Sequence, residues 1–354
     1  MVKENAIGVT VRSVIKNYAL KGHYHMKTQN LIAESQNIKF AKAKGGTLDK
    51  IKPEMFDDPN MVMETKYDGC RYRMVIDDGQ ILLQSRSISK KTGKFVEKQD
   101  RVPHLLPIDT TAYRGTIIEG EVIAGEGCDC TSNDVVSIMG CDADKAIARQ
   151  EETGKLSWVC FDILFLCGED LRGKSEVERR EYLTSFVYDM QTFSDDDIDY
   201  WSVSERFTRD LRERYDDLIF AGYEGGMMKD TTKPYGKGWY KVKKVVDLDV
   251  VCTGFMPGKG KYVGQIGSIY FGVLYEDSII PVSQAGGMSD DIRKHMTDHQ
   301  LEYIGKPLSI LAQEITKTSN WYSVRHPRFV RMRPDIGVAD CTLEKFLEQG
   351  NYSD

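Results

Sequence analysis

Short apolar runs with period-two alternation dominate this chain, and helical spacing is confined to a few segments. Val62-Met63-Glu64-Thr65 reads as a strand that runs into Lys66, and 71–76 reads as the next strand. In that second strand Tyr72, Met74 and Ile76 fall on one face, and Arg71, Arg73 and Val75 on the other. Asp68-Gly69 between them has the chemistry of a tight hairpin turn, since glycine accepts positive φ without steric cost. Further strands are predicted at 81–85, 116–123, 158–166, 226–229 and 239–242. Helices are predicted at 174–190 and 207–221, the second with Leu211, Tyr215 and Leu218 at three- and four-residue spacing.

Residues 245–248 read as a hinge. Beyond it 249–255, 268–274 and 279–282 are β-rich, 290–302 is helical, and 328–332 returns to strand. That order fits a small β-barrel with one helix. Residues 1–60 are Lys-rich and weakly periodic, compatible with a short helix or two or with an arm that orders on a partner. The expected organisation is a basic segment 1–60, an α+β domain 61–246 and a β-barrel domain 247–354, a fair division for 354 residues.

Composition narrows the class. No apolar run approaches the roughly 20 residues a membrane span needs, and Met1 to Thr10 has no apolar core of a secretory signal. Cys128-Asp129-Cys130 lacks a second pair or a nearby His at zinc spacing, so a metal site there is not expected. The eight scattered cysteines are expected as reduced thiols in a cytosol, bacterial or that of an infected cell. The net charge is −6, yet its distribution is uneven. Residues 1–52 carry ten Lys/Arg against Glu4, Glu34 and Asp49, and Trp321 to Arg333 holds four arginines and no acid. The acidic excess sits elsewhere, as in Asp195-Asp196-Asp197 and Asp199. Basic strips of this kind suit a phosphate backbone, although any one alone is better read as ordinary surface charge.

Candidate chemistry centres on Lys66-Tyr67-Asp68-Gly69-Cys70-Arg71. A lysine at a strand end can attack phosphorus, but a free lysine titrates at about 10.4, so presenting the neutral amine at pH 7 costs about 4.6 kcal/mol. Such a site needs further cations, carboxylates for a metal and an aromatic for a base. Glu119-Gly120-Glu121 places two carboxylates on one strand face, and Glu224-Gly225-Gly226-Met227-Met228-Lys229 adds another at a glycine turn. Lys241 and Lys243 share a strand face, and Phe161-Asp162-Ile163-Leu164 offers an aromatic. Each has a plain alternative: a solvated hairpin for Lys66 and Arg71, solvated carboxylates, a core phenylalanine, an edge-strand surface for the lysines. The stretch 254–260 looks like a phosphate-binding loop, but it is one residue short between glycines and no Ser or Thr follows Lys259. It is expected to connect barrel strands.

In order and spacing these segments resemble the motifs of ATP-dependent DNA ligases, within the nucleotidyltransferases that carry AMP or GMP on lysine. The resemblance covers about residues 61–340. It implies an adenylation domain of antiparallel sheets with helices, followed by an OB-fold barrel. It also implies ATP as co-substrate, Mg²⁺ or Mn²⁺, and nicked duplex DNA as partner, with no membrane and a monomeric enzyme. By it, Lys66 is the residue adenylylated, Glu64 contacts the adenine amino group and Phe161 stacks on the base. Arg71 and Glu121 hold the ribose region, with Arg71 also near the nick. Arg86 binds the 5′-phosphate, Glu121 and Glu224 serve metal, and Lys241 and Lys243 hold the α-phosphate, with Lys229 a weaker carry-over. Asp249 to Gly254, 257–260 and 264–268 resemble the ligase OB domain. His326 to Asp335 resembles its last motif, in which Arg333 and Asp335 orient pyrophosphate. Ile336 stands where the family has lysine, a departure that bears on the ATP-consuming step. The length suggests a viral or bacterial accessory enzyme, in which segment 1–52 substitutes for a large DNA-binding domain. Rival readings are an mRNA capping guanylyltransferase, an RNA ligase, and a DNA-binding module without catalysis.

Overall fold

The computed structural model describes residues 30–106, 111, 113–125, 131–192, 200–319, 321–350 and 352. The Cys128/Cys130 pair, the acidic run 195–199 and the basic stretch 1–29 lie outside the described residues. The chain divides into two compact units, Met1–Val242 and Lys243–Asp354. The division falls a few residues before the expected 246/247, and residues 30–60 take part in the first unit.

The first unit holds twelve strands among the described residues. These are β1 (Lys44–Thr47), β2 (Met61–Lys66), β3 (Cys70–Asp77), β4 (Gln80–Ile88), β5 (Phe95–Glu97) and β6 (Thr116–Ile123). They continue as β7 (Ser157–Leu166), β8 (Glu169–Asp170), β9 (Trp201–Val203), β10 (Arg206–Phe207), β11 (Gly225–Asp230) and β12 (Trp239–Lys243). They form a five-stranded sheet in the order β1-β12-β11-β2-β10 and a seven-stranded sheet in the order β5-β4-β3-β6-β7-β8, with β9 beside β7. The β2–β10, β2–β11, β3–β4 and β3–β6 pairs are antiparallel and β7–β9 is parallel, so the unit is α+β with mainly antiparallel sheets.

The apolar alternation decides what covers each sheet. Tyr72, Met74 and Ile76 on β3 pack with Leu183, Phe186 and Val187 of the helix Glu176–Thr192 and with Val135, Ile138 and Met139 of the helix Ser132–Met139. Val75, on the other face, joins Leu31, Ile38, Leu82, Ile117 and Leu164. In the five-stranded sheet Met61, Met63, Met228 and Val242 pack against Leu211, Tyr215 and Leu218 of the helix Leu211–Phe220. The opposite face of that sheet, and the polar continuation of the Val75 face, are left for function.

Three sequence expectations are corrected. Lys66 to Arg71 is not a hairpin: β2 and β3 belong to different sheets, and the chain crosses from one to the other at Tyr67-Asp68-Gly69. Gly69 is absent from the positive-φ positions. It is required because a Cβ would collide with the Val122 carbonyl oxygen and stand 2.9 Å from Glu121 Cγ. The helix expected from 207 begins at Leu211, because Phe207 pairs with Met63 in β10 and Asp210 takes a left-handed φ of 53°.

The second unit is built on β13 (Val246–Pro257), β14 (Ile266–Tyr275), β15 (Ser278–Ala285), β16 (Pro307–Ala312), β17 (Glu314–Lys317), β18 (Tyr322–Arg325) and β19 (Arg328–Met332). The expected hinge at 245–248 is mostly strand: Val246 to Val251 pairs with Ala312 to Pro307, as its branched side chains favour. Five strands order as β15-β14-β13-β16-β19. The two edge strands meet through a parallel bridge, Gly286 to Arg328. With the helix Asp290–Asp298 between β15 and β16, this is the layout expected of an OB-type barrel. The helix ends at Asp298, short of the expected 302, and a second turn, Gln300–Tyr303, follows. Residues 254–257 belong to β13 and the rest of the glycine-rich stretch leads to β14, as expected of a connection.

Candidate active site

Period two on β2 sends Glu64 and Lys66 away from the Met63 core. On β11 and β12 the buried Met228 and Val242 likewise send Lys229, Trp239, Lys241 and Lys243 to the free face. On the seven-stranded sheet Arg71 and Arg73 stand opposite Glu121 and Glu119 in register, on the face shared with Val75. One wall of the site thus comes from each sheet of the first unit.

Lys66 Nζ is paired with the carboxylate of Glu224, and both side chains are largely buried. Register explains the meeting: Gly225, the residue after Glu224, faces Lys66 across the ladder. Glu64 is 1% exposed, and its carboxylate is held by Lys229 Nζ at 2.7 Å, Ser204 Oγ at 2.9 Å and Arg180 at 3.3 Å. Lys229 also donates to the Phe161 carbonyl at 2.8 Å and lies 5.4 Å from the Phe161 ring centre.

The wall from the seven-stranded sheet carries a buried network that sequence reasoning did not assemble. Glu119 accepts from Arg73 Nε at 3.0 Å and Nη2 at 2.6 Å, pairs with Arg71, and takes the Tyr235 hydroxyl at 2.9 Å. Tyr235 in turn accepts the Ala41 amide at 3.1 Å. Burial raises the Glu119 pKa, and the two guanidiniums outweigh it, holding the carboxyl below its usual range. Aromatic rings close over Arg71, with Phe40, Phe161 and Trp239 centred 5.4, 5.1 and 5.6 Å from its guanidinium carbon. The Arg71 Nε is buried without a hydrogen-bond partner. Arg73, Phe40, Tyr235 and Trp239 were missed. The one legible signal was Arg-x-Arg in one strand and Glu-x-Glu in another, each with both members on one face.

Glu121 differs from its neighbour two residues away. Burial pushes its carboxyl up to about 7, against the pull of Lys66, Arg71 and Arg86, while Glu224 pushes it further up. Arg86 is exposed and sits in a bulge of β4, where Gln84 to Ile88 spans the same length as Phe95 to Glu97. Among the described residues no group of three or more His, Cys, Asp or Glu could hold a metal. Glu121 and Glu224 are close enough to interact electrostatically, so two carboxylates meet in this region.

In the second unit Arg333 follows β19. Its guanidinium is shared by Asp335, at 2.9 to 3.1 Å, and Asp249, at 2.5 Å, and these carboxylates raise its pKa. Gln349 steadies Asp249 from the other side at 3.0 Å. Ile336 lies in the turn after Arg333, its amide on the Arg333 carbonyl at 3.4 Å. Lys241 ends within the first unit, and Lys243, the last residue of β12, opens the second.

A model of the ATP dependent DNA ligase domain matches residues 44–243, more than half of the chain. The chain belongs to that family. A DNA ligase of Methanospirillum hungatei is 27% identical to this ligase-family chain over 359 residues, covering 94% of it and 61% of the relative. A DNA ligase of Archaeoglobus fulgidus is 30% identical over 312 residues, covering 80% and 53%. The chain therefore spans little more than half the length of these relatives. A solved structure from a structure–function study of Lig E DNA ligases superposes with a TM-score of 0.57 at 19% identity, covering 84% of this chain and 99% of that one. At that identity the likeness speaks for the fold. No helix among the described residues is long and apolar enough to cross a membrane.

Proposed function

We propose that this chain is an ATP-dependent DNA ligase that seals 5′-phosphate/3′-OH nicks in duplex DNA through a lysyl-AMP at Lys66. The observation that carries the reading is Lys66 itself: its ammonium lies against Glu224 on the free face of a strand, with Arg71 and Glu121 opposite, in a chain of this family. Engaging Glu224 elsewhere frees the ammonium, and loss of its proton to solvent presents the amine. Lys66 Nζ then attacks the α-phosphorus of ATP; an N–P bond forms and the bond to the pyrophosphate oxygen breaks. AMP passes to the 5′-phosphate, the 3′-OH attacks that adenylate, and AMP leaves as the phosphodiester forms.

Supporting residues take roles their surroundings allow. Phe161, already packed by Arg71 and Lys229, offers a ring edge or face to the base. The unpartnered Arg71 Nε is a donor for the ribose region. Glu64, fixed by Lys229, Arg180 and Ser204, reads the adenine amino group with a remaining lone pair. Lys241 and Lys243 are assigned to the α-phosphate and Arg86 to the 5′-phosphate. A bound Mg²⁺ would neutralise phosphate charge, with Glu121 and Glu224 as its carboxylates. We place the enzyme as a monomer in the compartment that holds its DNA, a reducing one that suits the thiols of Cys141, Cys160, Cys252 and Cys341.

The test is incubation with labelled ATP or GTP and Mg²⁺. An AMP adduct that Lys66→Ala abolishes, and sealing of a nicked DNA duplex, are expected. A GMP adduct points to capping, sealing confined to RNA strands points to an RNA ligase, and no adduct removes the reading.

A further inference from the structure

The β4–β5 hairpin departs locally from the acidic average of this chain. Residues 85–96 hold Arg86, Lys90, Lys91 and Lys94 and no acid, against a net charge of −6 for the whole sequence. All four cations are exposed. Ser85, Ser87, Ser89 and Thr92 are interspersed with them, the mix of point charges and small hydroxyls that contacts phosphates. The loop from Ser89 to Lys94 holds no aromatic, so it lacks the stacking surface that single-stranded bases use.

The hairpin is held by local hydrogen bonds and by contacts at its base. Its loop is closed by the Ser89 amide on the Lys94 carbonyl and the Gly93 amide on the Ser89 carbonyl, both at 2.8 Å. Ser89 Oγ accepts the Lys91 and Thr92 amides at 3.3 and 3.4 Å, and Gly93 takes the left-handed φ of 69° that the turn needs. At its base the Phe95 amide donates to Gln36 at 2.8 Å, and the Phe95 ring packs edge-on to Phe40 at 5.2 Å. Phe40 lies 4.1 Å from the Arg73 guanidinium carbon. The hairpin is thus tied to the network that holds Arg71.

We propose that this hairpin is a clamp on the phosphate backbone of the duplex beyond the 5′-phosphate, with Lys90, Lys91 and Lys94 as the side chains that grip it. The proposal rests on the ligase reading and on Arg86 as the 5′-phosphate residue. From Arg86 to Lys90 the chain reaches roughly 10–13 Å, or about three to four base-pair steps of duplex. The lysines therefore meet phosphates at about that distance from the nick.

The test uses the full chain with Lys90, Lys91 and Lys94 all replaced by Gln. AMP adduct formation should be unchanged, which also reports a folded site. The slope of log affinity for nicked duplex against log salt should fall by about 2 to 3, at roughly 0.9 for each phosphate that the lysines neutralise. Neutral methylphosphonates at the third and fourth phosphates on the 5′-phosphate side should weaken the wild type and leave the variant unaffected. An unchanged slope, or equal sensitivity of both proteins to the methylphosphonates, overturns the clamp while leaving the ligase reading in place. A wild type that forms adduct but does not bind nicked duplex overturns the clamp, and one that forms no adduct overturns the ligase reading as well.

Discussion

Glu119 and Glu121 are two residues apart on one strand face, yet their surroundings drive them in opposite directions. Glu119 is locked by two guanidiniums and a phenol and stays ionised; Glu121 is half-buried, and desolvation pushes its carboxyl up to about 7 against the pull of Lys66, Arg71 and Arg86. Carboxylates separated this way divide labour, one holding structure and one free to respond to ligand. Adenylylation by the free enzyme is therefore expected to rise with pH through about 7 as Glu121 ionises, and Glu121→Gln should erase that limb. The stability consequence has a definite sign. The folded protein keeps the Glu121 proton up to about 7, whereas the unfolded chain releases it near the ordinary 4.5. Folding takes up a proton between those values, so stability falls as pH rises through the window and is level above it. Relative to wild type, the Tm of Glu121→Gln should climb between pH 4.5 and 7 and then run parallel. A flat difference across the window would show that Glu121 is not held protonated in the fold.

At the scale of elements, the segment from Lys66 to Arg71 matters because it joins two sheets. A hairpin would have placed Lys66 and Arg71 on neighbouring strands of one sheet; the crossing puts them on facing walls. Sequence alternation located most of the strands, including 116–123 and 328–332, because apolar period two survives whatever the strand pairs with. It could not say which strands pair, since that depends on partners far along the chain. Arg71 meets Glu119 and Tyr235 across separations of 48 and 164 residues, and no local pattern encodes them. Phe207 was lost to a helix for the same reason: its strand state comes from pairing with β2. Gly69 gives the crossing a direct test. Gly69→Ala drives a methyl at the Val122 carbonyl, a backbone atom that cannot swing aside. Overpacking of this kind costs about 1–3 kcal/mol, and here the strain falls on the link between Lys66 and Arg71. Urea unfolding should show that loss, and AMP adduct yield should fall with it. An alanine variant of full stability and full adduct yield would mean that the crossing tolerates what its geometry forbids.

At the scale of the whole molecule, the motifs are divided between two units that each own a core. Lys66, Glu121 and Glu224 belong to the first, Arg333, Asp335 and Ile336 to the second. In the reading proposed here only the attack on ATP makes pyrophosphate, so only that step calls on the second unit's arginine. Arg333 is at present satisfied by Asp335 and Asp249, and helping a leaving group requires it to exchange carboxylate for phosphate oxygens. Arg333→Ala should thus slow adduct formation from ATP while sparing the sealing of a nick supplied already adenylated. Ile336→Lys should act on the same step in the opposite sense, because a second cation beside Arg333 adds attraction for the departing pyrophosphate. Single-turnover rates for the two half-reactions separate these outcomes. If Arg333→Ala slowed both half-reactions equally, the arginine would be serving the barrel's integrity through Asp249 and Gln349, and the assignment of the second unit to the ATP step would have to be withdrawn.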